Sequence, residues 1–288
     1  MLPHLPRPHP DPDPVPQIKN NAAVGAEIAA ALQRADCGVP GGGASPAGAA
    51  PSPAGGAAAE EARGGPRVVV VGGCCEDVEG VSTGSLLPGT SSPGRARASF
   101  GGVGRNVAHA LALLGSRVAL VSAVGDDAAG AALRAHARAA GVDVSGVRVV
   151  GGAATARFVA VLGPDGDLAA SVADMAVLDT LGDAAAEQGG APLLSAAALR
   201  GAGMLVLDGN LPPAALRAAM RAASAEGVPV LLEPPSVSKA AAAAAVPGLL
   251  AGLHYTTPNL LELRAMALSP PHALGAIYPC TPRPVTLL

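Results

Sequence analysis

Val68-Val-Val-Val-Gly-Gly73 is the stretch that decides the fold class of this chain of 288 residues. Four consecutive β-branched residues followed by two glycines are typical of a strand that is buried on both faces of a parallel sheet. Apolar runs of this kind alternate with Ala- and Leu-rich segments of helical periodicity from Arg67 as far as Leu268. The alternation predicts an α/β fold, in which helices cover both faces of a mostly parallel sheet.

The remaining elements follow from the same periodicities. Strands are expected at residues 118–121, 204–207 and 228–232, and helices at 104–114, 128–140, 212–225, 238–245 and 259–268. Residues 154–162 and 168–172 flank Gly163-Pro-Asp-Gly166, which is the sequence pattern of a hairpin. With residues 79–99, this hairpin predicts a small β lid laid over the edge of the sheet.

The composition excludes several classes of function. The net charge is −3 and no basic block could neutralise a phosphate backbone, so nucleic acid is not an expected partner. No apolar run of about 18 residues occurs, and Met1–Pro16 lacks the apolar core of a secretory signal. We therefore predict a cytoplasmic protein with no membrane partner. The cysteines lack C-x-x-C spacing, and the adjacent Cys74 and Cys75 are expected to be buried thiols rather than metal ligands.

Composition also divides the chain into five segments. Residues 1–16 alternate proline with His and Asp and are predicted to be disordered. Residues 17–35 contain a short helix, and residues 36–66 form a linker rich in Gly, Ala, Pro and Ser. The α/β domain spans residues 67–268. Residues 269–288 have no periodicity, so we predict an unstructured tail that does not complete the sheet.

Gly101-Gly-Val-Gly-Arg-Asn106 is the main candidate for a small-molecule site. It follows a loop at residues 89–95 and opens the helix at 104–114. Glycines let a backbone approach a ligand closely, and a helix N-terminus directs free N–H groups and its positive dipole end at one point. Asn106 offers both a donor and an acceptor to a sugar hydroxyl. Asp77 follows the first strand, at the sheet edge where such folds bind ligands; a strand-end turn is its alternative role.

Several catalytic motifs are absent from the sequence. It contains no G-x-x-x-x-G-K-[ST] phosphate loop, no H-E-x-x-H and no G-x-S-x-G. The GGVGRN stretch does not fit the dinucleotide-binding pattern G-x-G-x-x-G either.

An ordered series of motifs resembles the PfkB (ribokinase-like) family of carbohydrate and nucleoside kinases. The series comprises Val68–Asp77, Gly101–Asn106, Val121-Ser-Ala-Val-Gly-Asp-Asp127 and Thr257-Pro-Asn-Leu-Leu-Glu262. The resemblance covers residues 67–268 and implies a ribokinase-like fold, C-terminally incomplete here, with ATP, Mg²⁺ and a small-molecule sugar or nucleoside as ligands. Members of the family often pair through their lids, so the resemblance allows a homodimer.

Within the family, three stretches are similar to pseudouridine kinases: residues 89–106, Val172-Ala-Asp-Met175 and Glu233–Lys239. The similarity implies transfer of the γ-phosphoryl group of ATP to the 5′-hydroxyl of pseudouridine. Residues 17–32 are similar to the C-terminal end of pseudouridine-5′-phosphate glycosidase, so we expect a fragment of a bifunctional pseudouridine-degrading fusion. A kinase for another sugar or nucleoside is the alternative.

The resemblance implies a role for each candidate residue. The substrate would contact Asp77, Gly101, Gly102, Asn106, Asp174 and Thr155, whereas the nucleotide phosphates would face Asn259, Glu262 and Glu233, with Glu262 holding Mg²⁺ through water. Asn259 and Glu262 also fit a helix capping box, and the two roles can coexist. A loop residue at Asp174, a surface position at Thr155 and a strand-end turn at Glu233 are the alternatives.

The family's late G-A-G-D motif, whose Asp is the general base, does not occur in these residues. Gly201-Ala-Gly-Met204 is the nearest string, and it has Met at the position of the Asp. A general base contributes ~10²–10⁴ in rate, and one anion-hole donor about 10²–10³. We therefore predict weak or no kinase turnover for this chain, and no catalytic residue is assigned. A nucleoside-binding protein without catalysis is the non-enzymatic alternative.

Overall fold

The computed structural model describes residues 67–182, 194, 196–269 and 286–287, so the predictions for residues 1–66 lie outside the described residues. The strands are β1 (Arg67–Val71), β2 (Cys75–Ser82), β3 (Gly94–Gly101), β4 (Val118–Gly125), β5 (Val142–Asp143), β6 (Val147–Val150), β7 (Arg157–Leu162), β8 (Leu168–Asp174), β9 (Ala202–Asp208), β10 (Val230–Glu233), β11 (Tyr255–Thr256) and β12 (Thr286–Leu287). The helices are α1 (Val103–Leu113), α2 (Ala128–Ala139), α3 (Ala176–Asp179), α4 (Ala196–Leu199), α5 (Pro213–Glu226), α6 (Val237–Ala244), α7 (Leu249–Gly252) and α8 (Leu260–Leu268).

The strands form two sheets, as the sequence predicts. The main sheet has the order β12–β11–β10–β9–β1–β4–β5, with β6 also paired to β4, and its pairs are parallel. A second sheet, the lid, has the order β3–β2–β7–β8. In the lid, β2 pairs in parallel with β7, and the outer pairs are antiparallel.

Helices cover both faces of the main sheet, and the alternation of side chains along β1 shows how. Val68 and Val70 pack with Leu111 of α1 and Leu133 of α2 in one buried cluster. Val69 and Val71 point the other way, into a cluster that contains residues of α5 and α6. A strand buried on both faces needs this continuous β-branched run. The α/β architecture with a small β lid, as predicted from the sequence, is confirmed.

Two local predictions are wrong. GGVGRN does not follow a loop, because β3 leads directly into it. The strand is exposed over most of its length and is held by backbone pairing with β2, so its sequence lacks apolar alternation. The tail also contributes to the sheet, since Thr286 and Leu287 pair in parallel with Tyr255 and Thr256. A strand of two residues needs only a backbone edge to pair with, so its sequence contains no alternation from which it could have been predicted.

No described helix has both the length and the apolar character needed to cross a bilayer. Cys74 and Cys75 are buried and free, as the sequence predicts.

Candidate functional site

Asp77 lies within β2, not in a strand-end turn, and its carboxylate faces the first glycine of GGVGRN. A Cβ added to Gly101 would overlap both carboxylate oxygens, so only glycine leaves room for Asp77 here. The Cys75 thiol donates a hydrogen bond to Asp77 Oδ1 over 3.1 Å. Burial raises the pKa of Asp77, while this hydrogen bond and the Arg105 charge oppose the rise. A half-buried carboxylate is thus held at the base of the lid.

Glycines bring the end of β1 and the start of α1 into backbone contact. A Cβ on Gly104 would lie 2.5 Å from Gly72 Cα. Gly102 has a φ of +95°, which favours glycine, and a Cβ there would overlap Gly73 O. The close approach expected of the glycines therefore serves contact between two protein segments as well as contact with Asp77.

Two N–H groups in the first turn of α1 already bind other parts of the protein, contrary to the prediction of free N–H groups at this helix N-terminus. The Arg105 N–H donates to Gly73 O over 3.1 Å. The Gly104 N–H interacts with the carboxylate of Asp208. Since the protein itself uses these N–H groups, ligand binding by the helix dipole is not supported at this position.

Arg105 of α1 binds the last residues of β3. Its buried guanidinium donates to the carbonyl oxygens of Phe100 and Gly101, the latter over 3.3 Å. Asn106, the predicted ribose ligand, follows in the first turn of α1 and is half-buried. The structure thus places Asp77, Gly101, Gly102 and Asn106 in one region at the junction of lid and sheet.

Asp208 is a site residue that the sequence analysis missed. It ends β9 with 1% of its surface exposed, and it accepts hydrogen bonds from Gly73 N (2.9 Å, to Oδ2) and Asn210 N (2.8 Å, to Oδ1). Burial raises the pKa of Asp208, and these hydrogen bonds counteract the rise. A carboxylate at the end of an apolar parallel strand was the pattern that could have revealed it.

Asp174 is not on the face of the lid that carries Asp77. It is in register with Arg157, and Arg157 with Glu76. Asp77 is one residue further along β2, and successive side chains point to opposite faces. Asp174 ends β8 and is exposed, so its predicted contact with the substrate has no support from this geometry.

Thr155 is buried, and its predicted surface position is wrong. Its hydroxyl donates to Asp127 Oδ1 over 2.5 Å and accepts from Gly125 N over 3.0 Å. Asp127 also accepts from Gly130 N over 2.8 Å as the N-cap of α2. Burial would raise the pKa of Asp127, but the bonds from Thr155 and Gly130 lower it. Thr155 thus joins α2 to the segment that leads into β7, and its contact with a substrate stays a prediction.

The predicted phosphate-side residues lie at the carboxyl ends of β10 and β11. Glu233 is 1% exposed, is in register with Asp208 and accepts a hydrogen bond from the Thr257 hydroxyl. Asn259 and Glu262 form the expected capping box: Glu262 Oε2 accepts from Asn259 N over 2.9 Å, and Asn259 Oδ1 accepts from Glu262 N over 3.0 Å.

The capping box limits how these residues could hold Mg²⁺. It uses one oxygen of Glu262 and leaves Oε1, which fits a contact through water better than direct chelation. Across the described ranges, no group of three or more His, Cys, Asp or Glu side chains is placed to hold a metal ion. The water-mediated role of Glu262 therefore stays a prediction.

Comparisons with known proteins show which family and which relatives this chain resembles. The family described as "pfkB family carbohydrate kinase" matches residues 66–275. In Escherichia coli (strain K12), the "Uncharacterized sugar kinase YeiI" is 35% identical over 201 residues, covering 69% of this chain and 52% of that protein. The pseudouridine kinase of the same strain is 32% identical over 200 residues, covering 69% and 60%.

A solved structure shares the fold. Ribokinase from Cryptococcus neoformans var. grubii serotype A, in complex with ADP, superposes with a TM-score of 0.55 at 22% identity, covering 71% of this chain and 60% of that one. The chain spans about half to three fifths of the length of the two curated relatives, 52% and 60%.

Proposed function

Because the chain belongs to the pfkB family of carbohydrate kinases, we propose that its described part carries the acceptor site of a sugar or nucleoside kinase, with pseudouridine as the acceptor. In this proposal Asp77 binds two hydroxyls of the ribose, and Asn106 binds a third polar group of the acceptor. Mg²⁺ and ATP, the ligands expected of the family, lie on the side of Glu233 and Glu262.

One observation carries the proposal: one carboxylate oxygen of Asp77 accepts no hydrogen bond from the described residues. Within the described residues, Oδ1 accepts from the Cys75 thiol and Oδ2 has no hydrogen-bond donor. A carboxylate oxygen can accept up to two hydrogen bonds, so Oδ2 is able to accept from a ligand. In the proposal, a sugar hydroxyl donates to this oxygen, and Gly101 lets the carboxylate lie directly against the backbone of the GGVGRN stretch.

Two further features support pseudouridine over other acceptors. The E. coli pseudouridine kinase is 32% identical to this chain over 200 residues. The stretches at 89–106, 172–175 and 233–239, which resemble pseudouridine kinases, all lie in the described α/β domain and its lid. Another sugar or nucleoside remains the competing acceptor, and a binding panel of pseudouridine, uridine, adenosine and D-ribose separates them.

Calorimetric titration of pseudouridine into the purified chain tests the site. Each hydrogen bond to a charged group contributes about 1.5–3 kcal/mol, so Asp77→Asn should weaken binding by roughly 10- to 150-fold. Asp179→Asn, at an exposed position of α3, is the matched control and should bind like the unaltered chain. Equal affinities for Asp77→Asn and the unaltered chain would show that the acceptor site is assigned to the wrong residue.

A second candidate, nucleoside binding without turnover, is favoured by the absence of a G-A-G-D motif from the 288 residues. Without a general base and its anion-binding helix, phosphoryl transfer loses both proton removal and charge stabilisation. We expect no pseudouridine-dependent ADP release from Mg·ATP by this chain. ADP release that depends on both pseudouridine and Mg·ATP would contradict this candidate and support the kinase.

A further inference from the structure

The row of lid residues that includes Asp77 also includes an aromatic ring. The parallel pairing of β2 with β7 puts Asp77 in register with Phe158. The antiparallel pairs on either side add Ser99 of β3 and Ala173 of β8 to the same row. Residues in register project from the same face of a sheet, and neighbouring strands lie about 4.8 Å apart. The Phe158 ring is therefore the immediate neighbour of the Asp77 carboxylate across one strand interval.

Phe158 is not needed to fill the core. It is half-buried and belongs to neither of the two hydrophobic clusters formed by the described residues. Phe100, by contrast, packs on one of those clusters and contacts the His136 ring at a centroid distance of 4.7 Å. Aromatic rings are rare in this chain, which has two Phe, two Tyr and no Trp, and one of the two Phe rings lies partly exposed beside the candidate site.

The residues flanking Phe158 belong to the opposite face. Arg157 forms an ion pair with Glu76 at 2.7 Å, and Val159 is in register with Val78. Because side chains alternate along β7, Phe158 lies on the face of Asp77, whereas Arg157 and Val159 lie on the opposite face. The ring is available to whatever lies against Asp77.

We propose that Phe158 stacks on the base of a nucleoside whose ribose is held by Asp77, so that the site selects nucleosides over free sugars. The inference rests on the proposed function, and it names the chemical class of the acceptor. A ribose that is held by its hydroxyls projects its base to one side, and an aromatic ring one strand away offers a planar apolar face to that base. Every base has a π face, so stacking recognises the class, and hydrogen bonds must choose among its members.

Three substitutions at Phe158 test the proposal by titration with pseudouridine and, separately, with D-ribose. Removing a base–aromatic stack corresponds to a roughly 5- to 150-fold loss of affinity, so Phe158→Ala should weaken pseudouridine binding by that factor. Phe158→Leu keeps most of the volume without a π face and should also lose affinity, whereas Phe158→Tyr should keep it. D-ribose has no base, so its affinity should be the same for all three variants.

Val159→Ala, on the opposite face of the same strand, is the matched control and should leave both affinities unchanged. Circular dichroism during thermal unfolding verifies that each variant is folded, and the comparison of Leu with Tyr decides the matter even if the Ala variant unfolds. Pseudouridine binding by Phe158→Leu that equals binding by Phe158→Tyr would overturn the proposal.

The same titrations separate this inference from the proposed function. Asp77→Asn should weaken the binding of both pseudouridine and D-ribose. If Asp77→Asn weakens pseudouridine binding but Phe158→Leu does not, the stacking role fails and the acceptor site stands. If Asp77→Asn has no effect, the acceptor site itself fails.

Discussion

Asp208→Asn is predicted to destabilise the fold, although it removes a buried charge. The carboxylate accepts from Gly73 N at 2.9 Å and from Asn210 N at 2.8 Å through different oxygens, and the Gly104 N–H also interacts with it. An Asn side chain has one oxygen, so its amide group must face one of these N–H groups donor to donor. Neither flip of the amide satisfies both donors.

The magnitude follows from the balance of two effects. A buried donor left without an acceptor costs about 1–3 kcal/mol. The neutral amide escapes the burial penalty that raises the pKa of Asp208, which offsets part of this cost. Because the Gly73–Asp208 bond also joins the segment after β1 to the end of β9, we expect a net loss of about 1–3 kcal/mol.

Urea unfolding followed by circular dichroism measures this loss. With a slope of roughly 2 kcal/mol per molar urea, the midpoint should fall by about 0.5–1.5 M. Asp179→Asn, at an exposed position of α3, should change stability by less than about 0.5 kcal/mol. If Asp208→Asn were as stable as the unaltered chain or more so, the penalty for burying the charge would outweigh the two hydrogen bonds, and the reasoning would be refuted.

Two further predictions concern the glycines and the histidines. Gly104→Ala should reduce stability by about 1–3 kcal/mol in urea unfolding, since its Cβ would lie 2.5 Å from the Gly72 backbone. Gly101→Ala should mainly weaken pseudouridine binding in calorimetry, because its Cβ would displace Asp77. A loss of binding with Gly104→Ala and a loss of stability with Gly101→Ala would contradict the roles given to these two glycines. His109 and His136 stack at 5.0 Å, and burial, then the Arg105 charge, lowers the pKa of both below 6.5. Below pH 6.5 the unfolded chain therefore binds more protons than the folded chain, so stability should fall as the pH drops from 6.5 through the lowered pKa values. The variant with His109→Gln and His136→Gln should show a flatter urea midpoint between about pH 7.5 and 5.5, and an equally steep fall would exclude the histidines as the cause.

Features that depend on neighbouring residues in the chain could be predicted from the sequence. The β-branched run of β1, the helices α1, α2, α5, α6 and α8, and the hairpin of β7 and β8 are confirmed, with boundaries that differ by a few residues. Gly115 and Gly141 have a φ of +87° after α1 and α2. Periodicity and helix caps depend on interactions between residues that are close in the chain, so they can be recognised in a short stretch of sequence.

The cytoplasmic location and the homodimer concern the protein's surroundings, which the fold of one chain does not address, so both stay predictions. The resemblance of residues 17–32 to a glycosidase lies outside the described residues.

The sequence alone determined the α/β class, the family motifs and the neighbourhood of Asp77 and GGVGRN. Only the tertiary structure decided that β3 leads into that motif, that Asp208 reaches Gly73 across 135 positions, and that Asp174 lies on the face opposite Asp77. It also paired Phe158 with Asp77, which lie 81 positions apart in the chain, as do their neighbours Arg157 and Glu76. Strand register and buried hydrogen bonds join residues that are distant in sequence, and their free energy arises only when packing has excluded water from both partners.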